Sequence, residues 1–187
     1  EIFRSMLTGV YEVSTYLGGE MKFYIASTLG NAETVKQIAD YLTSKGWSQT
    51  YDWTEHGAVK DLNDLERVSS EELLGVTGCD VFFLLLPGKR GSHAELGAAL
   101  ATKKPVIILS PDQDLFYENS LTCSFYHHSG VRDRIIDRDW FALACMAYRA
   151  GKKTGSKKKT KEEQCRVHKK LHGLKSTLKK TAFLLMR

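Results

Sequence analysis

The fold is decided by one stretch of sequence, Asp80-Val81-Phe82-Phe83-Leu84-Leu85-Leu86-Pro87-Gly88-Lys89-Arg90-Gly91-Ser92-His93-Ala94-Glu95-Leu96-Gly97. Its first half is a continuous apolar run closed by Pro and Gly, which is typical of a short strand buried on both faces. A basic loop follows, and Ser92 begins a predicted helix that runs to Thr102. Ligands of open α/β sheets bind at the carboxyl ends of such strands, so we expect the site around this loop and Glu95.

Strands and helices alternate on both sides of this stretch. Further strands are predicted at residues 21–27, 47–53 and 105–109, with a short one at 123–126, and helices at 31–45, 61–77 and 135–148. This alternation is typical of a parallel sheet covered by helices on both faces. We therefore expect one flavodoxin-like, or Rossmann-like, α/β domain.

The charge is distributed unevenly along the 187 residues, which allow one domain with a core plus extensions. Residues 149–187 contain 14 Lys and Arg against 2 Asp and Glu, whereas the preceding 148 residues have a net charge of −7. We divide the chain into an N-terminal arm (1–20), an α/β domain (21–150) and a basic tail (151–187), whose first part is expected to be a linker.

The tail contains an amphipathic pattern, with apolar residues at helical spacing among lysines, at Val167, Leu171, Leu174, Leu178 and Leu185. Three interpretations remain open: a solvated appendage, a helix that docks on a partner or an anionic surface, and an arm that contacts nucleic acid. The last is disfavoured because no aromatic residues are interleaved for base stacking.

The cysteines Cys79, Cys123, Cys145 and Cys165 have neither metal-ligand nor paired spacing. We therefore expect reduced thiols and a cytoplasmic protein. No run reaches the ~18 consecutive apolar residues of a membrane span, and residues 1–20 do not have the layout of a secretory signal.

Several segments resemble the nucleoside 2-deoxyribosyltransferase family, which includes the related N-glycosidases of 2′-deoxynucleoside 5′-monophosphates. The segments are Phe23-Tyr24-Ile25-Ala26-Ser27, the strand beginning at Asp80 and, above all, Gly91-Ser92-His93-Ala94-Glu95-Leu96-Gly97-Ala98-Ala99-Leu100-Ala101. The resemblance covers residues 21–131. It implies a flavodoxin-like fold, a nucleotide or nucleoside substrate, a homodimer or higher homo-oligomer, and no metal or organic cofactor.

The resemblance also implies roles for individual residues. Glu95 matches the glutamate that attacks the sugar C1′, Ser27 matches the serine that helps to hold the 5′ end, and Phe23 matches the aromatic residue of the first strand. Glu72 stands where relatives usually have the Asp that assists the leaving base. Lys89 and Arg90 replace an acidic residue that is common in the transferases.

The residue types at Glu95 and Glu72 suit this chemistry, although each has a second interpretation. A carboxylate stabilises the positive charge that develops on the sugar as an N-glycosidic bond breaks, and we expect the helix start to keep Glu95 ionised. Glu72 suits proton donation if burial raises its pKa. Alternatively, Ser92-x-x-Glu95 and Ser69-x-x-Glu72 are capping boxes, or Glu72 lies on a solvated helix face.

An anion site is predicted at the start of the same helix. Backbone amides and hydroxyls of Ser27, Gly91 and Ser92 would hold the 5′ end, with charge from Lys89 and Arg90 unless these belong to a solvated loop.

Two histidine-containing segments complete the set of candidates. His93 has two interpretations, a donor into the site and a partly exposed residue of the first helical turn, of which we expect the second. Tyr126-His127-His128 is expected to be packing or pocket rim, because other metal ligands at suitable spacing are lacking.

The sequence therefore predicts cleavage or exchange of an N-glycosidic bond through a glycosyl-enzyme intermediate. Two alternatives stay open: a non-catalytic nucleotide-binding module, acting as a sensor or sponge, and an NAD glycohydrolase, because TIR-like domains share the layered fold and use a glutamate at a glycosidic bond.

Overall fold

A computed structural model of the chain describes residues 20–55, 61–117 and 122–155. The strands are β1 (Met21–Ala26), β2 (Trp47–Gln49), β3 (Val81–Leu85), β4 (Val106–Ser110) and β5 (Val131–Ile136). The helices are α1 (Ala32–Ser44), α2 (Leu62–Gly78), α3 (Arg90–Ala101), α4 (Asp114–Tyr117) and α5 (140–155), with 3₁₀ turns at Leu29–Asn31 and Ser124–His127.

The five strands form one parallel sheet in the order β2-β1-β3-β4-β5. Tyr24 of β1 is paired with Phe82 of β3, and Ile25 with Phe83. This order is the flavodoxin-like one, so the expected fold class is confirmed. The direction of winding reverses between β1 and β3, and the crevice at the carboxyl ends of these two strands is the usual ligand position in such sheets.

Burial explains why the central strands have lost the alternating pattern of a half-exposed sheet. All five residues of β3 and all five of β4 are buried, because helices cover both faces of these strands. The helix α1 instead buries a single stripe at helical spacing, formed by Val35, Ile38, Ala39 and Leu42.

One face of the sheet is covered by α1 and α5 through contacts between aromatic rings. The ring of Tyr41 lies edge-on to Phe141 at 5.4 Å, and Trp47 packs against Tyr148 at 5.3 Å. Phe23 of β1 contacts the same Trp47 at 6.3 Å, so its side chain points to this face.

The other face carries α2 and α3, and Tyr24 lies beneath them. Its ring stacks on Phe82 with the centroids 5.8 Å apart and an interplanar angle of 8°. It also lies directly under Gly75 of α2, where an added Cβ would come within 2.9 Å of the ring. Gly75 therefore allows α2 to approach the sheet closely at this point.

Four details differ from the expectations. The helix α3 begins at Arg90 instead of Ser92, residues 124–127 form a 3₁₀ turn instead of a strand, and β2 ends at Gln49. The helix expected at 135–148 begins at residue 140, because residues 131–136 form β5, a strand that the sequence analysis does not predict. A strand at 123–126 is wrong because the chain turns there to place Tyr126 in the core.

The first residues of the expected linker are helical. Residues 151–155 continue α5, and Gly151 is buried against the Trp47 indole, which leaves no space for a side chain. The rest of the tail (156–187) and the arm up to residue 19 lie outside the described residues.

Within the described ranges, no helix combines the length and apolar character that crossing a membrane would require.

Replacing Gly75 with Ala tests the close approach of α2 to the sheet. The new methyl would come within 2.8 Å of the Tyr51 Cβ and 2.9 Å of the Tyr24 ring, whereas at Gly78 of the same helix the nearest atom is 4.0 Å away. Overpacking costs about 1–3 kcal/mol, and the gain in helix propensity is at most about 1 kcal/mol. Because both variants replace glycine in the same helix, this gain is common to them, and we expect Gly75→Ala to lower the free energy of unfolding by roughly 1–3 kcal/mol relative to Gly78→Ala in urea titrations. Equal stability of the two variants would contradict this packing.

Candidate active site

Glu95 lies in the second turn of α3, at the carboxyl end of β3. The backbone N–H of Lys89, the residue before the helix, donates to Ser92 Oγ at 2.8 Å, and Ser92 Oγ donates to the Lys89 carbonyl at 2.9 Å. Ser92 is therefore the third helical residue and not the N-cap. The alternative interpretation of Ser92-x-x-Glu95 as a capping box is wrong, since the helix starts two residues earlier.

The carboxylate of Glu95 faces the sheet. Its Oε1 accepts a hydrogen bond from the hydroxyl of Tyr24, and both residues are buried. The Tyr24 ring is fixed between Phe82 and Gly75, as described above, so the hydroxyl is held in one position. Because the donor on one oxygen is fixed, the orientation of the Glu95 carboxylate is fixed as well.

The structure does not bring Phe23 together with Glu95. Successive residues of a strand point to opposite faces, and Phe23 contacts Trp47 under α1 and α5, while Tyr24 points to α3. Tyr24 is the site residue that the sequence analysis missed. A signal was available, because a Tyr in an apolar strand needs a partner for its hydroxyl when buried.

Burial raises the pKa of Glu95 from 4.5 to about 7. The hydrogen bond from Tyr24 lowers this pKa, and the charge of Glu72 raises it. The expectation that the helix start keeps Glu95 ionised is therefore not met, because the dipole acts within the first turn and desolvation is the larger effect here. At neutral pH both protonation states of Glu95 are populated. Burial and the Glu95 carboxylate raise the pKa of Tyr24 well above its ordinary value, so Tyr24 remains a donor.

Glu72 lies close to this pair. It is half-buried on α2, and its charge raises the pKa of both Glu95 and Tyr24. The N-cap of α2 is Asp61, which accepts from the Asp64 amide at 2.9 Å, and Ser69 Oγ donates to the Glu66 carbonyl inside the helix. The capping-box interpretation of Glu72 is therefore excluded.

Ser27 connects the ends of the two central strands. Its hydroxyl donates to the Leu85 carbonyl at 2.8 Å and accepts from Asn31 Nδ2 at 2.9 Å. The same Asn31 amide lies 3.3 Å from the Pro87 carbonyl. Ser27 is thus placed beside the loop that leads to α3, with its hydroxyl engaged by the protein.

The start of α3 carries the features of an anion site. The first amide that returns into the helix is that of His93, which donates to the Lys89 carbonyl at 3.0 Å, so the amides of Arg90, Gly91 and Ser92 have no helical acceptor. The side chains of Lys89 and Arg90 are exposed, and within the described ranges neither forms an ion pair. The Ser92 hydroxyl, in contrast, is committed to the Lys89 backbone.

A separate groove of about 470 Å³ runs between the edge strand β2 and α2, lined by residues that include Gln49, Tyr51 and Glu71. Glu95 does not line this groove. The groove lies at the edge of the sheet, whereas the carboxyl ends of β1 and β3 lie at its centre. We locate the candidate site at Glu95 because three titratable side chains, Glu95, Glu72 and Tyr24, lie together there. The position is also the one at which the strand order of the sheet reverses.

The raised pKa of Glu95 makes stability depend on pH in a defined direction. A carboxyl whose pKa is higher in the folded state stabilises the fold below its unfolded value, 4.5, and this contribution is lost as the pH rises through about 7. Between pH 5 and 8 wild type should lose about 2–3 kcal/mol relative to Glu95→Gln, at 1.36 kcal/mol per pKa unit. Denaturant unfolding of both proteins at each pH measures the difference, in which the groups that do not interact with Glu95 cancel. Parallel pH dependences would contradict the buried position of Glu95.

Comparisons with known proteins place the architecture. No protein-family model matches the sequence, and no curated protein sequence matches it either. Among solved structures, BlsM is similar with a TM-score of 0.56 at 16% identity, over 73% of this chain and 92% of that one.

Two further solved structures are similar to this chain. The CMP N-glycosidase BcmB of Clostridium botulinum has a TM-score of 0.49 at 19% identity, over 67% of this chain and 97% of that one. A 2-deoxyribosyltransferase of Bacillus psychrosaccharolyticus has a TM-score of 0.44 at 21% identity, over 66% and 90%. The solved structures that are similar to this chain thus include an N-glycosidase and a deoxyribosyltransferase.

Proposed function

We propose that the protein cleaves or exchanges the N-glycosidic bond of a nucleotide or nucleoside, with Glu95 as the nucleophile. The observation that carries the proposal is the buried Glu95 carboxylate, held by the Tyr24 hydroxyl at the point where the sheet reverses its winding. The names of two fold neighbours, a CMP N-glycosidase and a 2-deoxyribosyltransferase, describe reactions of the same class. The geometry at Glu95 and the resemblance of its motif are the basis of the proposal.

In the proposed reaction the bond between C1′ and the base nitrogen breaks, and its electron pair leaves with the base. Positive charge develops on the sugar, and the Glu95 carboxylate stabilises it and then forms an ester with C1′. Water or a second base resolves the ester, and the two displacements retain the configuration at C1′. The donor from Tyr24 directs one oxygen of Glu95 away from the sugar and leaves the other for attack.

Glu72 is proposed to assist the departing base. The mutual repulsion of two neighbouring carboxyl groups favours the state in which one is ionised and one is protonated. The charge of Glu72 raises the pKa of Glu95, so in the reactive form, in which Glu95 is ionised, the proton of the pair would lie on Glu72. From there it can pass to the leaving group. The reaction needs no metal or organic cofactor, because both roles are filled by carboxyl groups.

The 5′ end of the substrate is proposed to lie at the start of α3. The amides of Arg90, Gly91 and Ser92 together with the exposed cations of Lys89 and Arg90 suit a phosphate, which a helix N-terminus binds well. We therefore favour a nucleoside 5′-monophosphate as the substrate. A homo-oligomer and a cytoplasmic location remain part of the same proposal.

Replacing Glu95 tests the nucleophile. We expect Glu95→Gln to fold and to lose turnover by several orders of magnitude, as is found when a residue acts directly in the reaction. The Glu72→Gln variant should be impaired as well, whereas Glu71→Gln, the neighbouring carboxylate paired with Arg67 at 3.0 Å, should keep its activity. Chromatography of products from a panel of nucleosides, nucleotides and NAD measures turnover. Free base indicates the proposed reaction, nicotinamide indicates NAD cleavage, and unchanged ligand indicates a binding module.

The pH dependence of kcat/KM tests the role of Tyr24. In wild type the acidic limb should lie near the Glu95 pKa of about 7, because the nucleophile must be ionised. The Tyr24→Phe variant removes the hydrogen bond that lowers this pKa, so its acidic limb should move to higher pH. If the acidic limb of the kcat/KM profile stays at the same pH in Tyr24→Phe, the hydroxyl of Tyr24 does not influence the ionisation of Glu95.

The anion subsite predicts a preference for a 5′-monophosphate over the matching free nucleoside. A charge-assisted hydrogen bond to phosphate contributes about 1.5–3 kcal/mol, which corresponds to roughly 10- to 100-fold in kcat/KM. The double variant Lys89→Ala/Arg90→Ala should lose most of this discrimination. A matched control is Arg149→Ala/Lys153→Ala, which removes the same two charge types from exposed positions on α5. Equal efficiency of wild type on both substrates would place Lys89 and Arg90 among ordinary surface charges.

A further inference from the structure

We propose that His93 and Tyr126 form a positioning pair that fixes the Gly88–Lys89 turn and thereby sets the affinity of the site for a 5′-phosphate. This inference rests on the proposed function, because it assigns the turn to the anion subsite. Neither residue is proposed to touch the reacting atoms.

The hydrogen bonds of His93 define its tautomer and its orientation. Its Nδ1 lies 2.7 Å from the Lys89 carbonyl oxygen, and its Nε2 lies 2.7 Å from the Tyr126 hydroxyl. A carbonyl oxygen only accepts, so Nδ1 carries the proton, and the Nε2 of a neutral imidazole accepts from Tyr126. The rings stack with the centroids 5.6 Å apart at 28°, which fixes the plane of the imidazole.

The turn rests directly on this imidazole. An added Cβ at Gly88 would lie 2.9 Å from His93 Cε1, so the backbone of the turn and the ring are in close contact. The Lys89 carbonyl receives three donors, from Ser92 Oγ, the His93 amide and the His93 ring. Since the side chain of Lys89 starts from this backbone, the position of its ammonium group depends on the position of His93.

Tyr126 is itself anchored by a different part of the fold. Its carbonyl accepts from Arg134 Nε of β5 at 2.8 Å, and its buried ring lies against Phe116 at 6.1 Å. The pair therefore joins two regions that are 33 residues apart in sequence, the β5 side of the sheet and the start of α3. The turn is also supported by its own helix and, at Pro87, by the Asn31 amide, and the pair adds a support from the β5 side of the sheet.

The two histidines that follow Tyr126, His127 and His128, have other partners, so they do not take part in the contact between His93 and Tyr126. His128 Nδ1 accepts from the Gly130 amide at 3.0 Å, and His127 Nε2 lies 3.3 Å from Thr122 Oγ1. In the ranges that the structure describes, no group of three or more His, Cys, Asp and Glu side chains is arranged to hold a metal ion. Of the segment Tyr126-His127-His128, the tyrosine is the member that reaches the site.

The position of the pair predicts which kinetic parameter it affects. Glu95 is held by Tyr24 from the sheet, and this contact involves neither His93 nor Tyr126. Loss of the pair should therefore weaken binding of the phosphate and leave the chemical step largely unchanged. A purely structural role would instead lower the amount of active protein and affect both substrates alike.

The experiment compares wild type, Tyr126→Phe, His93→Ala and the double variant on a 2′-deoxynucleoside 5′-monophosphate and on its free nucleoside. Tyr126→Phe keeps the ring and removes one hydrogen bond, so KM for the monophosphate should rise roughly 3- to 10-fold. The kcat and the KM for the nucleoside should change less than about twofold. Because the two residues act as one pair, adding Tyr126→Phe to His93→Ala should raise the KM for the monophosphate by less than about twofold. Tyr117→Phe and His127→Ala, at exposed positions, are the matched controls.

Amide hydrogen exchange without substrate provides a readout that does not depend on activity. Both single variants should exchange faster across residues 88–92, while α2 remains unchanged. Unaltered exchange, or equal losses on both substrates, would overturn the positioning role. Absence of turnover by wild type would instead contradict the proposed function, and the exchange rates would then still support or overturn the pair.

Discussion

The site depends on one interaction, the hydrogen bond from the Tyr24 hydroxyl to the buried Glu95 carboxylate. Burying a carboxyl group is unfavourable for its ionised form, and the raised pKa of Glu95 records this. The single donor from Tyr24 offsets part of that penalty. Other features of this face serve the same contact, since Phe82 and Gly75 hold the tyrosine ring and the turn at Lys89 places the helix that carries Glu95. The fold thus loses some stability when Glu95 is ionised, and in return it contains a carboxyl group that titrates near neutral pH.

Residues whose position follows from hydrophobic patterning were predictable from the sequence. The apolar runs at Val81–Leu85 and Val106–Ser110 marked the central strands, and the stripe around Val35 marked α1. Helix starts were less accurate, because Ser92 looks like an N-cap but uses its hydroxyl as the third residue of the helix. Residues 151–155 look like the start of a linker in the sequence because they are basic and contain glycine, yet they continue α5. The contact of Gly151 with Trp47 shows that this residue packs against the core.

The sequence led to Glu95, Glu72 and the cationic turn as candidate residues, and it did not identify the partners that hold them. A sequence pattern reports which residues share a face of an element, and it does not report which faces of different elements meet. The Tyr24–Glu95 pair spans 71 positions and the His93–Tyr126 pair spans 33. The pKa of Glu95 was misjudged for the same reason, because desolvation depends on what covers the group and the helix dipole depends only on local position.

The pairing of β1 with β3 decides which chemistry the sheet presents. Tyr24 lies opposite Phe82, and its neighbour Phe23 lies opposite Val81. A slip of β1 by one residue would preserve a parallel, apolar strand in the same place but would exchange the two faces. Phe23 or Ile25, depending on the direction of the slip, would then lie under α3, and Glu95 would lose its donor. An error of a single position along one strand would therefore give a protein with a nearly intact core and a carboxylate that has nothing to orient it.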